Sequence, residues 1–467
     1  MYESPSRPDA ALITRQLLQQ AWPNFVAHVL SMGMMIADTV IAGRYGTADL
    51  AGVAIGSSYY VSVMLLLTGT LQAVAPMVAH HVGARQDQAA TATLQQGFWL
   101  ACFLAGPGIL LLTHPQPLFA WAGVPTEAAE RALEYLRAAA WGFPAVLFFR
   151  TFAGFSNAIG QPRALMVIGA LVTAAHVPLA WSLTNGVWGL APMGGTGCGL
   201  STAIVNWLAL ISGLLYLRGH QAYQRFALFA FWRRPSWTTQ RDLLRLGLPM
   251  GLSTFIDVSS FTLIAILAAR MGEATVAGHR VIANMTALIY MLPLSIAIAT
   301  LVHVGQSMGA QDPQRARAVA RVGLRLTLSF ALVVGVLVWL LREPLIGFYS
   351  TDPAVRTLAL SLVIYLCFYQ AFDGLQTVAA YALRGYKVTL LPMVLHTVCF
   401  WGVGLTGGYW LSFAAPWSAE QPSVAGFWQA SVVATILATV LFVKLMRRVA
   451  RARESDLGSG LTPQHQS

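Results

Sequence analysis

The sequence predicts an all-α polytopic membrane protein of about twelve transmembrane helices, in two six-helix lobes around a central cavity. Three observations predict it. The 467-residue chain is 56% hydrophobic and only 10% charged, with a mean hydropathy of +0.61, whereas a soluble domain carries about 25% charged residues. The apolar sequence comes in about a dozen runs, each long enough to cross a core of roughly 30 Å as a helix. The second half of the chain repeats features of the first at a constant offset.

Hydropathy places the spans at 15–44, 50–80, 92–114, 129–158, 163–186, 196–218, 243–270, 275–308, 316–341, 355–383, 388–412 and 424–446. Several are longer than a bilayer requires, so tilt or extension into water is expected. The polar opening MYESPSRPDAAL runs into an apolar stretch too long for a signal-peptide core, so no cleavable signal is expected. The longest hydrophilic segment, 218–245, divides the spans six and six. The expected organisation is a tail at 1–14, a first lobe at 15–218, a basic linker at 219–242, a second lobe at 243–446 and a tail at 447–467.

The net charge of +11 is a sidedness signal. The segments holding Arg85, Arg163, 218–245, 315–325, Arg384/Lys387 and 444–453, with Arg7 and Arg15, contain 21 of the 29 Lys and Arg. The opposite loops carry Glu127, Glu130, Glu273, Glu343, Asp352 and Glu420. By the positive-inside rule both termini are cytoplasmic, and the charge gives no reason to expect nucleic acid as a partner. Cys102, Cys198, Cys367 and Cys399 lie in apolar runs without metal-ligand spacing and read as packing residues.

The repeat is visible residue by residue. Pro23 and Pro249, Gly46 and Gly272, Gly52 and Gly278, and Gly83 and Gly309 are each 226 apart. HHVGARQD resembles QSMGAQD, and Gly160 matches Gly385 at an offset of 225. An even number of spans per repeat gives both halves the same orientation, a parallel repeat about the membrane normal.

Of the 18 Asp and Glu, only Asp38, Asp257 and Asp373 fall well inside spans. A charge at that depth costs roughly 2.5–3.5 kcal/mol on insertion scales, so such residues are candidates for function. Asp257 sits mid-run in LGLPMGLSTFIDVSSFTLIAILAAR. Tyr365, Tyr369, Asp373, Gln376 and Thr377 make one polar, aromatic stripe on a helix, which favours a cavity-facing site over simple packing. Asp38, Asn157, His176 and Thr202 are the polar candidates of the first half, though a single membrane His is more often a satisfied hydrogen-bonding residue. Arg150 and Arg280 are charged positions inside spans. Arg150 reads as snorkelling, and Arg280 either snorkels or reaches toward Asp257. Asn284 lies one turn beyond Arg280.

There is no Walker A motif, HExxH, Cys/His cluster or nucleophile elbow. His80, His81 and His303 are scattered and make no catalytic set, so an intramembrane enzyme is not expected. An ion gradient is then the expected energy source. A carboxylate in a cavity can hold H⁺, give oxygens to Na⁺, or attract an organic cation. If ion and substrate compete for one negative site, their fluxes oppose.

The stretches MGMMIADTVIAGRYGTADLAGVAIG, GLPMGLSTFIDVSSF, VAGHRVIANMTALIYMLPLSIAIA, YQAFDGLQTVAAYALRGYK and GTGCGLSTAIVNW resemble the MATE family (multidrug and toxic compound extrusion transporters), in its NorM-type branch. The resemblance runs over essentially the whole chain. It implies two six-helix lobes, a central V-shaped cavity, and Na⁺- or H⁺-driven efflux of hydrophobic, often cationic compounds. It implies that Asp257 (a Glu in that branch), Asp373 and Tyr369 form the second-lobe cation site, holding Na⁺ if coupling is to sodium. Asp38 would be a first-lobe protonatable site. Tyr365, Gln376, Thr202, His176, Asn157, Arg280 and Asn284 would line the cavity with it. The chain departs from the family at His176 and Ala180, where relatives have Asn or Asp, and at Gly278-His279-Arg280, where they have an AHQ-like motif.

The expected protein is therefore a cation-coupled efflux antiporter of the inner membrane, a monomer with no cofactor beyond its coupling ion, whose partners are the bilayer and organic cations. The alternative is a flippase of a lipid-linked or anionic substrate. Such cavities are lined by Arg and Lys, and here only Arg150 and Arg280 are available against three Asp.

Overall fold

The computed structural model describes residues 9–458, except residues 122, 188, 190, 229, 231 and 416–421. Arg7 and Glu420, counted above among the loop charges, lie outside the described residues, as do parts of both tails. Among the described residues there are helices and no strands. We number the spans α1 (Ala10–Tyr45), α2 (Thr47–Gly83), α3 (Asp87–Thr113), α4 (Thr126–Ala140 and Phe143–Ala158), α5 (Pro162–Asn185) and α6 (Gly195–Gly219). The second half continues with α7 (Trp237–Ala268), α8 (Glu273–Gly309), α9 (Pro313–Leu340), α10 (Pro353–Gly385), α11 (Leu390–Ala414) and α12 (Ala425–Gly458). Eleven are long and apolar enough to cross a membrane singly, and α4 makes a twelfth as a pair bent by 54°. The expected twelve spans are all present. α12 runs beyond its hydropathic end at 446, because its basic continuation stays helical.

Helix boundaries follow local chemistry. Pro162, Pro313 and Pro353 open α5, α9 and α10, where a missing N–H costs nothing. Asp312 caps α9 by accepting the Arg315 N–H at 2.8 Å, and Asp352 caps α10 by accepting that of Ala354 at 2.7 Å. α11 is widened to π-helical geometry over Thr397–Thr406 and again at Trp410–Ala414.

The repeat reaches the backbone. α2 and α8 begin at Thr47 and Glu273, α3 and α9 at Asp87 and Pro313, and short helices follow them at Gln116 and Arg342. Each pair is 226 apart. Arg85 and Gln311, also 226 apart, both adopt left-handed backbone, with φ of 56° and 58°. One sequence match needs correction. Gly160, at φ 78°, has its left-handed counterpart in Lys387, at φ 60°, and not in Gly385. The hydrogen bonds closing these turns agree, from Gln161 N to Ser156 O and from Val388 N to Leu383 O. Gly385 is instead a packing glycine. A Cβ there would lie 2.8 Å from the Leu301 carbonyl oxygen of α8.

The chain forms two compact units. One runs from Pro23 to Gly251, and the other takes Leu252 onward together with the residues up to Trp22. The divisions fall beside Pro23 in α1 and Pro249 in α7, the internal prolines of those helices.

In the first unit the core gathers Phe143, Phe152, Phe155, Leu71 and Leu94. The segment read as a linker is strapped to α3. Thr91 Oγ1 donates to Phe226 O at 2.7 Å, Gln95 Nε2 to Leu228 O at 3.1 Å, Trp99 Nε1 to Arg233 O at 3.0 Å and Gln96 Nε2 to Arg234 O at 2.8 Å. Trp232 stacks on Phe98, and Tyr223 is buried with its hydroxyl on Ser156 Oγ at 2.9 Å. In the second unit α10 packs against α8, α9 and α12. Gly374 lets Pro293 of α8 and Thr327 of α9 approach it closely.

Candidate functional site

In the second unit α7 and α10 bring two carboxylates to one level. Phe261 of α7 packs edge-on against Tyr369 of α10, ring centroids 5.4 Å apart. Asp257 is one turn before Phe261, and Asp373 is one turn after Tyr369. The two helices, with two spans between them, run in opposite directions, so one ring contact sets the two Asp opposite each other. Asp257 is a charged neighbour of Asp373, and the Tyr369 hydroxyl donates to Asp373. Tyr369 and Asp373 are 1% and 5% exposed, while Asp257 is partly buried. The three residues expected at the cation site are thus together.

A buried network continues from Asp373. Gln376 Nε2 donates to Asp373 Oδ1 at 3.1 Å and to Thr377 Oγ1 at 3.3 Å. That leaves Gln376 Oε1 facing His396 Nε2 at 3.0 Å. An amide oxygen only accepts, so Nε2 of His396 carries the hydrogen. His396 lies on α11 between the rings of Phe400 and Phe442. The Tyr290 hydroxyl of α8 meets Thr377 Oγ1 at 3.4 Å, with Asp373 and Asp257 as charged neighbours. Sequence reading missed Tyr290 and His396, which carry no periodic signal linking them to the α10 stripe.

The wall behind Asp257 is the π-helical stretch of α11. Trp401 Nε1 donates to Ile256 O at 3.3 Å and to Ser259 Oγ at 3.2 Å, and Ser260 Oγ donates to Phe400 O at 3.2 Å. π-Helical geometry is rare and recurs at functional sites. Arg384 of α10 is a cation among the charged neighbours of Asp257. Sequence reading had counted it as a loop charge. Arg280 and Asn284 are exposed on α8, and Tyr365 accepts a hydrogen bond from Gln429 at 3.0 Å.

The first unit holds a second cluster. Asp38 Oδ1 of α1 lies 2.8 Å from His176 Nε2 of α5, and the His176 side chain is fully buried. His176 Nδ1 faces Ser201 Oγ of α6 at 3.4 Å. Thr202 donates to Cys198 O at 3.0 Å and bonds the buried Tyr135. The pair can keep one proton between a carboxylate oxygen and an imidazole nitrogen. Ser201 and Tyr135 were not foreseen. Asn157 stands apart, accepting from Asn24 Nδ2 at 2.8 Å. Arg150 lies exposed on α4.

Among the described residues no three His, Cys, Asp or Glu side chains converge in the manner of a transition-metal site. What converges in the second unit is two carboxylates, two phenols and an amide. That is an oxygen-rich set suited to a hard monovalent cation or a proton.

Comparison with known proteins agrees with this architecture. The MatE family model matches twice, at residues 23–182 and 249–410. The two matches begin at the internal prolines of α1 and α7. A probable multidrug resistance protein NorM of Aromatoleum aromaticum is 58% identical over 447 residues, covering 96% of each chain. The multidrug resistance protein PmpM of Pseudomonas aeruginosa is 36% identical, covering 94% of this chain and 92% of that one. Among solved structures, the eukaryotic MATE transporter AtDTX14 superposes with a TM-score of 0.85 at 17% identity, covering 96% of this chain and 99% of that one. With a family model over both halves and full-length relatives above 30% identity, the chain belongs to the MatE family and is a multi-pass membrane transporter, not an enzyme.

Proposed function

We propose that this transporter is a cation-coupled antiporter that exports hydrophobic organic cations by alternating access. It works in the inner membrane with both termini cytoplasmic. The observation that carries this reading is the meeting of Asp257 and Asp373, with Tyr369, inside the membrane-spanning part of one unit. Two carboxylates facing each other in apolar surroundings repel, and one bound H⁺ or Na⁺ relieves that repulsion. Entry of the ion from one side and release on the other changes the charge of the site within each cycle. An organic cation bound in its place leaves in the opposite direction. The Asp38–His176 pair is a second proton-holding site. The names of the relatives, multidrug resistance proteins, support the substrate class.

The test uses everted membrane vesicles in a bath containing a fluorescent cationic dye, whose uptake is driven by an imposed pH gradient or by Na⁺ at fixed pH. The wild-type protein moves dye with at least one of the two. Asp373→Asn is expected to lose gradient-driven movement by about tenfold or more, with unchanged abundance in the membrane. Wild-type transport by that variant sinks the proposal, and the driving ion that works for the wild type names the coupling ion.

A further inference from the structure

The end of the bundle that carries the basic loops has a feature of its own, apart from the buried carboxylates. Here a groove of about 650 Å³ opens between the starts of α1 and α9 and the end of α12. Arg317, Arg321 and Arg325 of α9 line it at spacings of four, so they stand on one helix face. Ala318 and Val322 back the groove between them, and Ile13 of α1 supplies apolar surface opposite. The ladder descends roughly 12 Å along the helix axis from Arg317 to Arg325. Beyond Arg325, α9 continues for roughly 22 Å of apolar sequence. With a core of roughly 30 Å, Arg325 therefore lies within snorkelling reach of the headgroups.

The three arginines are not equivalent. Glu454 of α12 pairs with Arg317 at 2.9 Å and fixes it as the rear wall. Arg321, which also lines the groove, donates through Nε to the Arg317 carbonyl oxygen at 3.3 Å, so its two terminal nitrogens are not used by that bond. Arg325 is exposed and has no acidic partner among the described residues. Next to them Tyr386 is 2% exposed. Its hydroxyl has no hydrogen-bond partner among the described residues, and its charged neighbours are Glu454, Arg317 and Arg321. Sidedness alone needs only positive charge in a loop. It does not need a ladder carried three turns down a span over a groove, beside a buried hydroxyl without a partner.

The geometry points to a site for the phosphate of an anionic phospholipid headgroup. Arg321 and Arg325 grip the phosphate through paired guanidinium N–H donors, and an acyl chain follows the apolar backing of α9. Arginine fits this role because its planar fork binds phosphate oxygens two at a time, which a lysine ammonium cannot do. A soluble phosphate could use the same guanidinium groups. The depth of Arg325 and the apolar backing favour the lipid.

The test exposes the detergent-purified full chain to dioleoyl phosphatidylglycerol or dioleoyl phosphatidylcholine and measures retained lipid by native mass spectrometry. Wild-type protein is expected to retain the phosphatidylglycerol and little phosphatidylcholine. Arg321→Gln with Arg325→Gln should weaken retention of the anionic lipid by roughly 25-fold, about fivefold per arginine. Arg321→Lys with Arg325→Lys, which keeps charge and loses the fork, should fall between. Circular dichroism establishes that each variant is folded. Equal retention of phosphatidylglycerol by folded wild type and the Gln pair overturns the site. Displacement of the lipid by inorganic phosphate at millimolar concentration assigns the groove to a soluble anion and overturns the lipid reading.

Discussion

His396 shows how a side chain without a sequence signal governs one that has it. Its Nε2–H holds Gln376 Oε1, and that contact turns the amide so that its N–H donates to Asp373. Without His396 a buried amide oxygen loses its donor, at a cost of about 1–3 kcal/mol. His396→Leu is therefore expected to lower the thermal unfolding midpoint of the purified protein by roughly 2–8 °C, and His396→Gln, whose amide can donate to the same oxygen, to recover most of it. Equal midpoints for wild type and His396→Leu would show that the contact is not formed. The Asp373 stripe was legible because i, i+4 spacing displays a helix face. His396 was not, because spacing within α10 does not say which helix covers that face. The same holds for Asp38 and His176. Each was visible as a polar residue in a span, but the 2.8 Å contact between them was not. In both units a histidine from the fifth helix of the repeat, α5 or α11, reaches toward a carboxylate. It does so directly in the first unit and through Gln376 in the second.

Glycine on α10 and α11 separates packing from flexibility. A Cβ at Gly385 would meet the Leu301 backbone oxygen and the Val304 side chain of α8. Gly385→Val should cost about 1–3 kcal/mol through overpacking. Gly402, in the π-helical part of α11, has open space where a Cβ would go. Gly402→Ala should be neutral or raise stability by about 0.5–1 kcal/mol, because alanine loses less chain entropy in a helix. Unfolding midpoints of the two variants, measured side by side, check both signs. The helices themselves were legible from hydropathy, with their caps and opening prolines. The π-helical geometry of α11 was not, since nothing in its apolar run distinguishes five-residue from four-residue hydrogen bonding.

Across the whole molecule, the segment joining the two repeats is the part that composition described least well. Its arginines and prolines read as a linker, yet Gln95, Gln96 and Trp99 fasten its backbone to α3. Gln96 is the hub. It donates to Arg234 O at 2.8 Å, accepts from Ser236 N at 2.8 Å and accepts from Gln240 Nε2 at its backbone oxygen at 2.9 Å. Gln96→Ala should release the strap and speed tryptic cleavage after Arg233 by about tenfold, the equivalent of one or two lost hydrogen bonds. An unchanged cleavage rate in limited proteolysis would show that the strap does not depend on Gln96. The glutamines were passed over because they sit at the end of an apolar span, where an amide usually meets water.

The sequence alone determined the class, the number of spans, the parallel repeat and the three intramembrane carboxylates. These are written in hydropathy, in a constant offset and in the rarity of charge within apolar runs. Tertiary structure alone decided the partners. It set Asp257 against Asp373 through the Phe261–Tyr369 contact, gave Asp38 to His176, and put Arg384 rather than Arg280 among the charged neighbours of Asp257. The position 226 before Asp257 is Ser31, so the repeat does not transmit the carboxylate arrangement from one half to the other. Periodicity fixes the face a side chain occupies along one helix. Which helix lies against that face depends on the packing of distant residues, such as the glycines of α10 and the rings around Tyr369.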